Sequence, residues 1–142
     1  MNEIVVLSAG KILNSNLYPF FKNKYQNKLI NEYRQNIFKN FDKIYEILGF
    51  SKKKIFSNSK KQFNHNWKHE KSCGSFLKFI SNYKSEDLFI SYSDIIFNET
   101  AINNLKSSKE DISFYLSFLP KKSLKKKEII TLNRAKYEFL GL

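Results

Sequence analysis

The stretch IVVLSAGK (residues 4–11) decides the fold, because its first five residues form a continuous apolar run that leads into a glycine and a lysine. Strands that are buried on both faces of a sheet have such continuous runs instead of an alternating pattern. A second run of this kind, LFISYS, leads directly into an aspartate (residues 88–94). Open α/β sheets bind ligands beyond the carboxyl ends of their strands. The two runs therefore predict a ligand-binding edge that carries Gly10, Lys11 and Asp94.

The chemistry of these three residues suits a phosphorylated ligand. A glycine lets backbone N–H groups approach a phosphate, a lysine neutralises it as a point charge, and a lone carboxylate beside it can hold Mg²⁺. The pattern indicates nucleotide chemistry, with Lys11 and Asp94 as candidate catalytic residues and Asp94 as the metal ligand. The alternatives are that Asp94 caps the following turn and that Lys11 is a solvated surface lysine.

Composition predicts a single globular domain over residues 1–142. Hydrophobic residues make up 42% of the chain and aromatic residues 16%, which is enough for one core. The formal net charge of +12 raises nucleic acid as a partner, but only Arg34 and Arg134 of the 25 basic residues are arginines. Proteins that bind phosphates and bases favour arginine, whose guanidinium group makes two parallel hydrogen bonds. The lysine-rich composition therefore indicates a solvated surface and disfavours nucleic acid as a partner.

The cysteine content and the amino-terminal residues predict a cytoplasmic protein. Cys73 is the only cysteine, so an internal disulfide is excluded and a reducing compartment is expected. Glu3 stands where a signal peptide has positive charge, and the apolar run after it is too short to cross a membrane.

Strand-like and helix-like segments alternate along the chain. Together they predict an α/β fold, a Rossmann-like doubly wound mixed sheet flanked by helices in a three-layer α/β/α arrangement. Helical spacing of apolar residues covers residues 29–41 and 75–83, the second with Ser72 or Gly74 near its start, and a short helix is expected over residues 100–105. Strands are expected at residues 4–8, 43–48, 88–93, 111–119, 128–132 and 136–140. Residues 55–63 are ambiguous, and a short strand near residues 62–63 is one interpretation of them.

Four segments in a fixed order resemble the nucleotidyltransferase-like family, which includes sugar-phosphate nucleotidylyltransferases and phosphocholine cytidylyltransferases. They are VVLSAGK, LYPFFKNKYQNKLI, KIYEILGFSKKKI and LFISYSDIIF, and they span most of residues 4–115. The resemblance implies the nucleotide-diphospho-sugar transferase type of fold. It also implies transfer of a nucleoside monophosphate, with CTP the favoured donor, to a sugar phosphate or alcohol phosphate, with release of pyrophosphate.

The resemblance also implies roles for individual residues. Asp94 matches the aspartate that binds Mg²⁺, and the stretch 64–75 matches a loop that approaches the nucleotide. Trp67, within that loop, is expected to pack in the core rather than to stack on a base. The residues implied to contact the nucleotide are Leu7, Ser8, Ala9, Gly10, Lys11, Lys24, Lys28, Asn66, Gly74 and Ser75.

Three departures from the family pattern leave other functions open. Residues 12–16 (ILNSN) lack the second glycine and the arginine of the family's phosphate loop, and the region between Ile30 and Tyr33 lacks the family's short hairpin-like insert. The chain also ends where family members continue, which predicts an incomplete domain. One alternative is a catalytically impaired remnant that binds nucleotide or a partner chain, as a homo- or hetero-oligomer. A second is a basic nucleic-acid-binding protein.

Overall fold

The computed structural model describes residues 2–10, 24–25, 28–29, 32, 35–36, 38–50, 58–84, 87–93, 95–113, 115–118, 129–132 and 135–141. They belong to two compact units, Met1–Phe97 and Asn98–Leu142. That residues 1–142 form a single domain stays a prediction.

The labelled elements of the first unit are β1 (Glu3–Ser8), β2 (Lys24–Tyr25), β3 (Lys28–Leu29), β4 (Lys43–Leu48), β5 (Lys60–Phe63), α1 (Trp67–Ile80) and β6 (Phe89–Tyr92). Four of these strands form a parallel sheet in the order β5-β4-β1-β6. The two-residue strands β2 and β3 form a separate antiparallel pair.

Strand β1 lies between β4 and β6 and is buried along its whole length. Its odd-numbered residues Val5 and Leu7 pack in a core cluster with Ile47 of β4 and Phe79 of α1. The other face of the sheet carries Phe89, which lies in register with Ile4 and contacts the ring of Phe41. Burial on both faces explains why the sequence of β1 is continuously apolar.

Helix α1 contains a backbone break. Lys71 has φ 54° and ψ −159°, so the segment consists of a first turn from Trp67 and a longer helix after Lys71. The expected start near Ser72 or Gly74 matches the longer part, but the first turn lies outside the range predicted from the sequence. The apolar residues Phe76 and Phe79 face the core, and the helix ends at Ile80, so the prediction that it continues to residue 83 was wrong.

The second unit has one helix and an antiparallel sheet. Helix α2 (Glu99–Ser107) begins after Asn98, whose side-chain Oδ1 accepts a hydrogen bond from the Ala101 N–H at 2.8 Å. This cap satisfies one of the free N–H groups of the first turn. The strands of this unit are β7 (Tyr115–Phe118), β8 (Ile129–Leu132) and β9 (Ala135–Gly141). Strand β9 pairs with β7 and with β8, in both cases antiparallel.

Most of the predicted strands are confirmed. Strand β4 has the predicted limits, β1 begins one residue earlier, and β6 is shorter at both ends. The predicted helix over residues 29–41 starts too early, because Leu29 belongs to β3, whereas Glu32 and Phe38 are helical. The predicted strand over residues 111–119 also starts too early, since residues 111–113 precede β7.

The described residues therefore have an α/β fold with a parallel sheet and helices. Within the part of the chain that the structure describes, α1 and α2 included, no helix is long and apolar enough to span a membrane.

Candidate functional site

The order in which successive strands are added to the sheet reverses between β1 and β6. From β1 the chain continues to β4 and then to β5 on one side, and it later places β6 on the opposite side of β1. In open α/β sheets the crevice outside the carboxyl ends of the strands at such a reversal is where ligands bind. The candidate site is therefore the carboxyl edge formed by the end of β1 and the end of β6.

Main-chain hydrogen bonds hold this edge together beyond the strands themselves. The Ser93 N–H donates to the Leu7 carbonyl at 3.2 Å, which ties the end of β6 to β1. On the other side of β1, the Phe50 N–H donates to the Ala9 carbonyl at 2.9 Å. The residues directly after three neighbouring strands thus have fixed positions at one edge.

Four residues implied to contact a nucleotide lie at the end of β1, and only the last is open to solvent. The side chains of Leu7, Ser8 and Ala9 are buried, and Leu7 and Ala9 belong to the core cluster. Gly10 is exposed, and a Cβ added to it would meet no atom of the described residues within 4 Å. A ligand approaching this edge therefore meets the backbone of Gly10 first.

The Ser8 hydroxyl is a buried polar group that no described residue satisfies. Ser8 is 1% exposed, and within the part of the chain that the structure describes its Oγ has no hydrogen-bond partner. Leaving a buried hydroxyl unpaired costs about 1–3 kcal/mol, and such groups are rare in native structures. Sequence reasoning placed Ser8 at the site by resemblance, but the unpaired hydroxyl is a property that only the packing reveals.

Gly49 allows a close approach between the loop after β4 and the start of α1. A Cβ on Gly49 would lie 2.6 Å from the Ala9 carbonyl oxygen and 2.7 Å from the Trp67 Cβ. Trp67 in turn packs against the core cluster, as the sequence predicted, and its ring meets the ring of Phe50 edge to face with centroids 5.6 Å apart. The two aromatic side chains therefore stand beside the end of β1.

Ser75 is committed to a buried hydrogen-bond network. Its hydroxyl accepts from Asn64 Nδ2 at 2.7 Å and donates to the Lys71 carbonyl at 2.7 Å. Asn64 Oδ1 also accepts from the Asn66 N–H at 3.0 Å, so this network fixes the loop between β5 and α1. The Ser75 side chain is buried and its hydroxyl proton is already used, so it has no proton left to donate to a nucleotide.

Gly74 has a packing role next to Glu70. A Cβ on Gly74 would lie 2.6 Å from the Glu70 Cβ, so any larger residue would displace that side chain. Glu70 Oε1 lies 2.6 Å from Lys78 Nζ and accepts from Asn66 Nδ2 at 3.4 Å. The hydrogen bond from Lys78 lowers the pKa of Glu70 despite an opposing effect of burial, and Asn66 adds to the lowering. The exposed Asn66 therefore stands beside a carboxylate whose charge Lys78 balances.

The two candidate catalytic residues, Lys11 and Asp94, lie outside the described residues. Lys24 and Lys28 belong to the β2–β3 pair, where only their backbone is described. The described ranges contain no group of three or more His, Cys, Asp or Glu that could hold a metal ion. The assignment of Mg²⁺ to Asp94 stays a prediction.

Phe50 and Asn64 are the residues of this edge that sequence reasoning missed. The only signal for Phe50 was the Gly-Phe pair that closes the second strand, and Asn64 marked the start of a resembling stretch. No protein-family model, curated protein or solved structure matches the chain.

Proposed function

We propose that the chain is a nucleotidyltransferase of the sugar-phosphate nucleotidylyltransferase type, with the doubly wound, three-layer fold of that family. It transfers a nucleoside monophosphate, with CMP favoured, to a sugar phosphate or an alcohol phosphate. The observation that carries the proposal is the reversal of strand order between β1 and β6. Lys11 and Asp94 directly follow the last described residues at the two strand ends where a ligand is expected.

The end of β1 supplies groups that suit a triphosphate. The open backbone of Gly10 allows a phosphate to approach closely, and Lys11 follows it in the sequence. The unpaired Ser8 hydroxyl can donate to a ligand oxygen or accept from a ligand N–H or O–H group. In this proposal Lys24 and Lys28 add positive charge around the phosphates.

The reaction needs positioning and charge more than covalent chemistry from the protein. An oxygen of the acceptor phosphate attacks the α-phosphorus and forms a new P–O bond, while the bond from the α-phosphorus to the bridging oxygen breaks. Pyrophosphate leaves with the electron pair of that bond. Lys11 balances the negative charge that develops on the phosphates, and the fold holds the acceptor and the leaving group in line.

A single carboxylate fits Mg²⁺, because this ion is commonly held by one or two carboxylates together with substrate phosphates and water. In the proposal Asp94 would hold the ion, which would supply positive charge that offsets the charge of the phosphates. Loss of Asp94 should therefore weaken triphosphate binding and lower turnover together.

The test measures binding of CTP, UTP, GTP and ATP to the purified chain with and without Mg²⁺, and follows pyrophosphate release in the same samples. We expect Mg²⁺-dependent binding of one nucleotide, CTP first, and pyrophosphate release once a pool of phosphorylated sugars and alcohols is added. Lys11→Ala and Asp94→Asn should each lower the affinity or the rate at least tenfold.

Lys109→Ala and Asp111→Asn are matched controls, because both residues are exposed and neither follows a strand of the parallel sheet. They should leave binding and turnover unchanged. Binding without pyrophosphate release would refute the transferase and leave a nucleotide-binding protein. No binding of any nucleotide would refute the proposal entirely.

A further inference from the structure

Phe50 is a large apolar side chain that is partly exposed to solvent. Its side chain is 39% exposed, and the other large hydrophobic residues of this kind are Leu77 on α1 and Ile112 in the second unit. Unlike those two, Phe50 lies at the carboxyl edge of the parallel sheet. Its N–H donates to the carbonyl of Ala9, the residue before the open Gly10.

The ring of Phe50 is held in place by the residues around it. Trp67 meets it edge to face, with centroids 5.6 Å apart and an interplanar angle of 77°. Trp67 is itself fixed, since it packs on the core cluster and touches the surface of Gly49. A rigid aromatic ring loses little conformational freedom when a ligand covers it, so stacking on Phe50 would carry a small entropic cost.

Trp67 itself is less suited to be the stacking surface. Lys68 Nζ lies over its ring, 5.9 Å from the centroid, and much of the indole is packed inside the unit. Phe50 is the more exposed of the two side chains and Trp67 is only half-buried against the core cluster, so we take Phe50 as the aromatic surface and Trp67 as its support from the side.

From these contacts we propose that Phe50 is the stacking surface for the nucleobase of the bound nucleotide. The inference rests on the proposed function, because the phosphates of that nucleotide lie at Gly10. The unpaired Ser8 hydroxyl at the end of the same strand is a second sign that this edge is built for a ligand. A base stacked on Phe50 gains dispersion and desolvation energy with little dependence on base identity, since every base has a π face.

Trp67 provides the measurement, because it is the only tryptophan of the chain. Its emission is recorded while the wild-type chain is titrated with CTP, CMP, cytidine and inorganic triphosphate, and affinities are measured in parallel by calorimetry. We expect the cytosine-containing ligands to quench Trp67 and inorganic triphosphate to bind without this quenching.

Phe50→Leu keeps an apolar side chain of similar size but removes the aromatic face. It should weaken CTP binding about tenfold, as the loss of one base–aromatic stack implies, and leave the affinity for inorganic triphosphate unchanged. The unchanged triphosphate affinity also shows that the variant is folded. Leu77→Ala, an exposed apolar control on α1, should bind CTP as the wild type does.

The outcomes separate this inference from the function on which it rests. If wild type binds CTP no more tightly than inorganic triphosphate, or Phe50→Leu binds CTP as wild type does, stacking is refuted while nucleotide binding stands. If wild type binds none of these ligands, the proposed function and the stacking surface both fail.

Discussion

Gly49→Ala tests whether the loop after β4 and the start of α1 meet as closely as the structure has them. The new methyl group would lie 2.6 Å from the Ala9 carbonyl oxygen and 2.7 Å from the Trp67 Cβ. Neither neighbour is the mobile end of a side chain, and the Ala9 oxygen already accepts the hydrogen bond from the Phe50 N–H. Overpacking of this kind costs about 1–3 kcal/mol. For a chain of this length that corresponds to a decrease in Tm of roughly 4–12 °C.

Thermal unfolding followed by circular dichroism measures the loss, and Trp67 emission reports the displacement of the indole toward solvent. Gly10→Ala is the matched control, because a methyl group there meets no atom within 4 Å. Its effect on unfolding should be within about 0.5 kcal/mol. The packing described for this edge is refuted if Gly49→Ala is as stable as Gly10→Ala and its Trp67 emission is unchanged.

Three further substitutions test other features of the fold. Ser8→Ala removes a buried, unpaired hydroxyl and should raise the free energy of unfolding by about 1 kcal/mol in urea titrations. Ser91→Ala should not, because its hydroxyl donates to a main-chain carbonyl at 2.9 Å, so equal effects would contradict this explanation. Lys71→Gly removes a side chain from a backbone with φ 54° and should raise the free energy of unfolding by roughly 1 kcal/mol or more, and Tm with it, whereas Lys71→Ala keeps the strain; a Tm no higher than that of Lys71→Ala would refute the strained conformation. A hydrogen bond from Lys43 lowers the pKa of the buried Glu3 below its ordinary 4.5, so its contribution to stability is present above pH 4.5 and is lost as pH falls through the lowered pKa. The difference in free energy of unfolding between wild type and Glu3→Gln should therefore shrink below pH 4.5, and a constant difference would rule this out.

Strands β1 and β4 were predictable from the sequence because each contains consecutive residues that are buried in the sheet. Residues 4–7 of β1 are all apolar, and β4 carries Ile44, Ile47 and Leu48 among its buried residues. Strand β5 (KKQF) is mostly exposed and has no such run, so its sequence was ambiguous. The first turn of α1 could not be read in this way, since residues 64–71 (NHNWKHEK) have no apolar stripe. That turn depends on contacts between distant residues, chiefly Trp67 against Gly49 and the core cluster.

Some features of the candidate site were likewise predictable from the sequence, and others were not. The sequence predicted that a ligand edge follows β1 and β6, because the residue types at strand ends are visible without coordinates. The sequence could not show that the Ser75 hydroxyl is hydrogen-bonded to Asn64 and to the Lys71 carbonyl, because these bonds depend on how α1 packs against the loop after β5. It also gave no sign that Phe50 stands next to Ala9.

The face of the sheet that carries Ser8 changes from apolar to polar toward the carboxyl end of β1, and this change lowers the stability of the sheet. The register pairs Val6 with Ser91, which continues to Ser8 beside Ser93, and all three serines are buried. Apolar side chains at these positions would add buried area and favour strand formation, so a sheet selected only for stability would not place serines there. Small polar residues at the carboxyl end are instead what a ligand needs in order to approach the backbone and find a hydrogen-bond partner. If Ser8→Ala gains stability and loses affinity for CTP, the serine has been kept for binding; if it gains stability and binds CTP as wild type does, the serine has no part in the site.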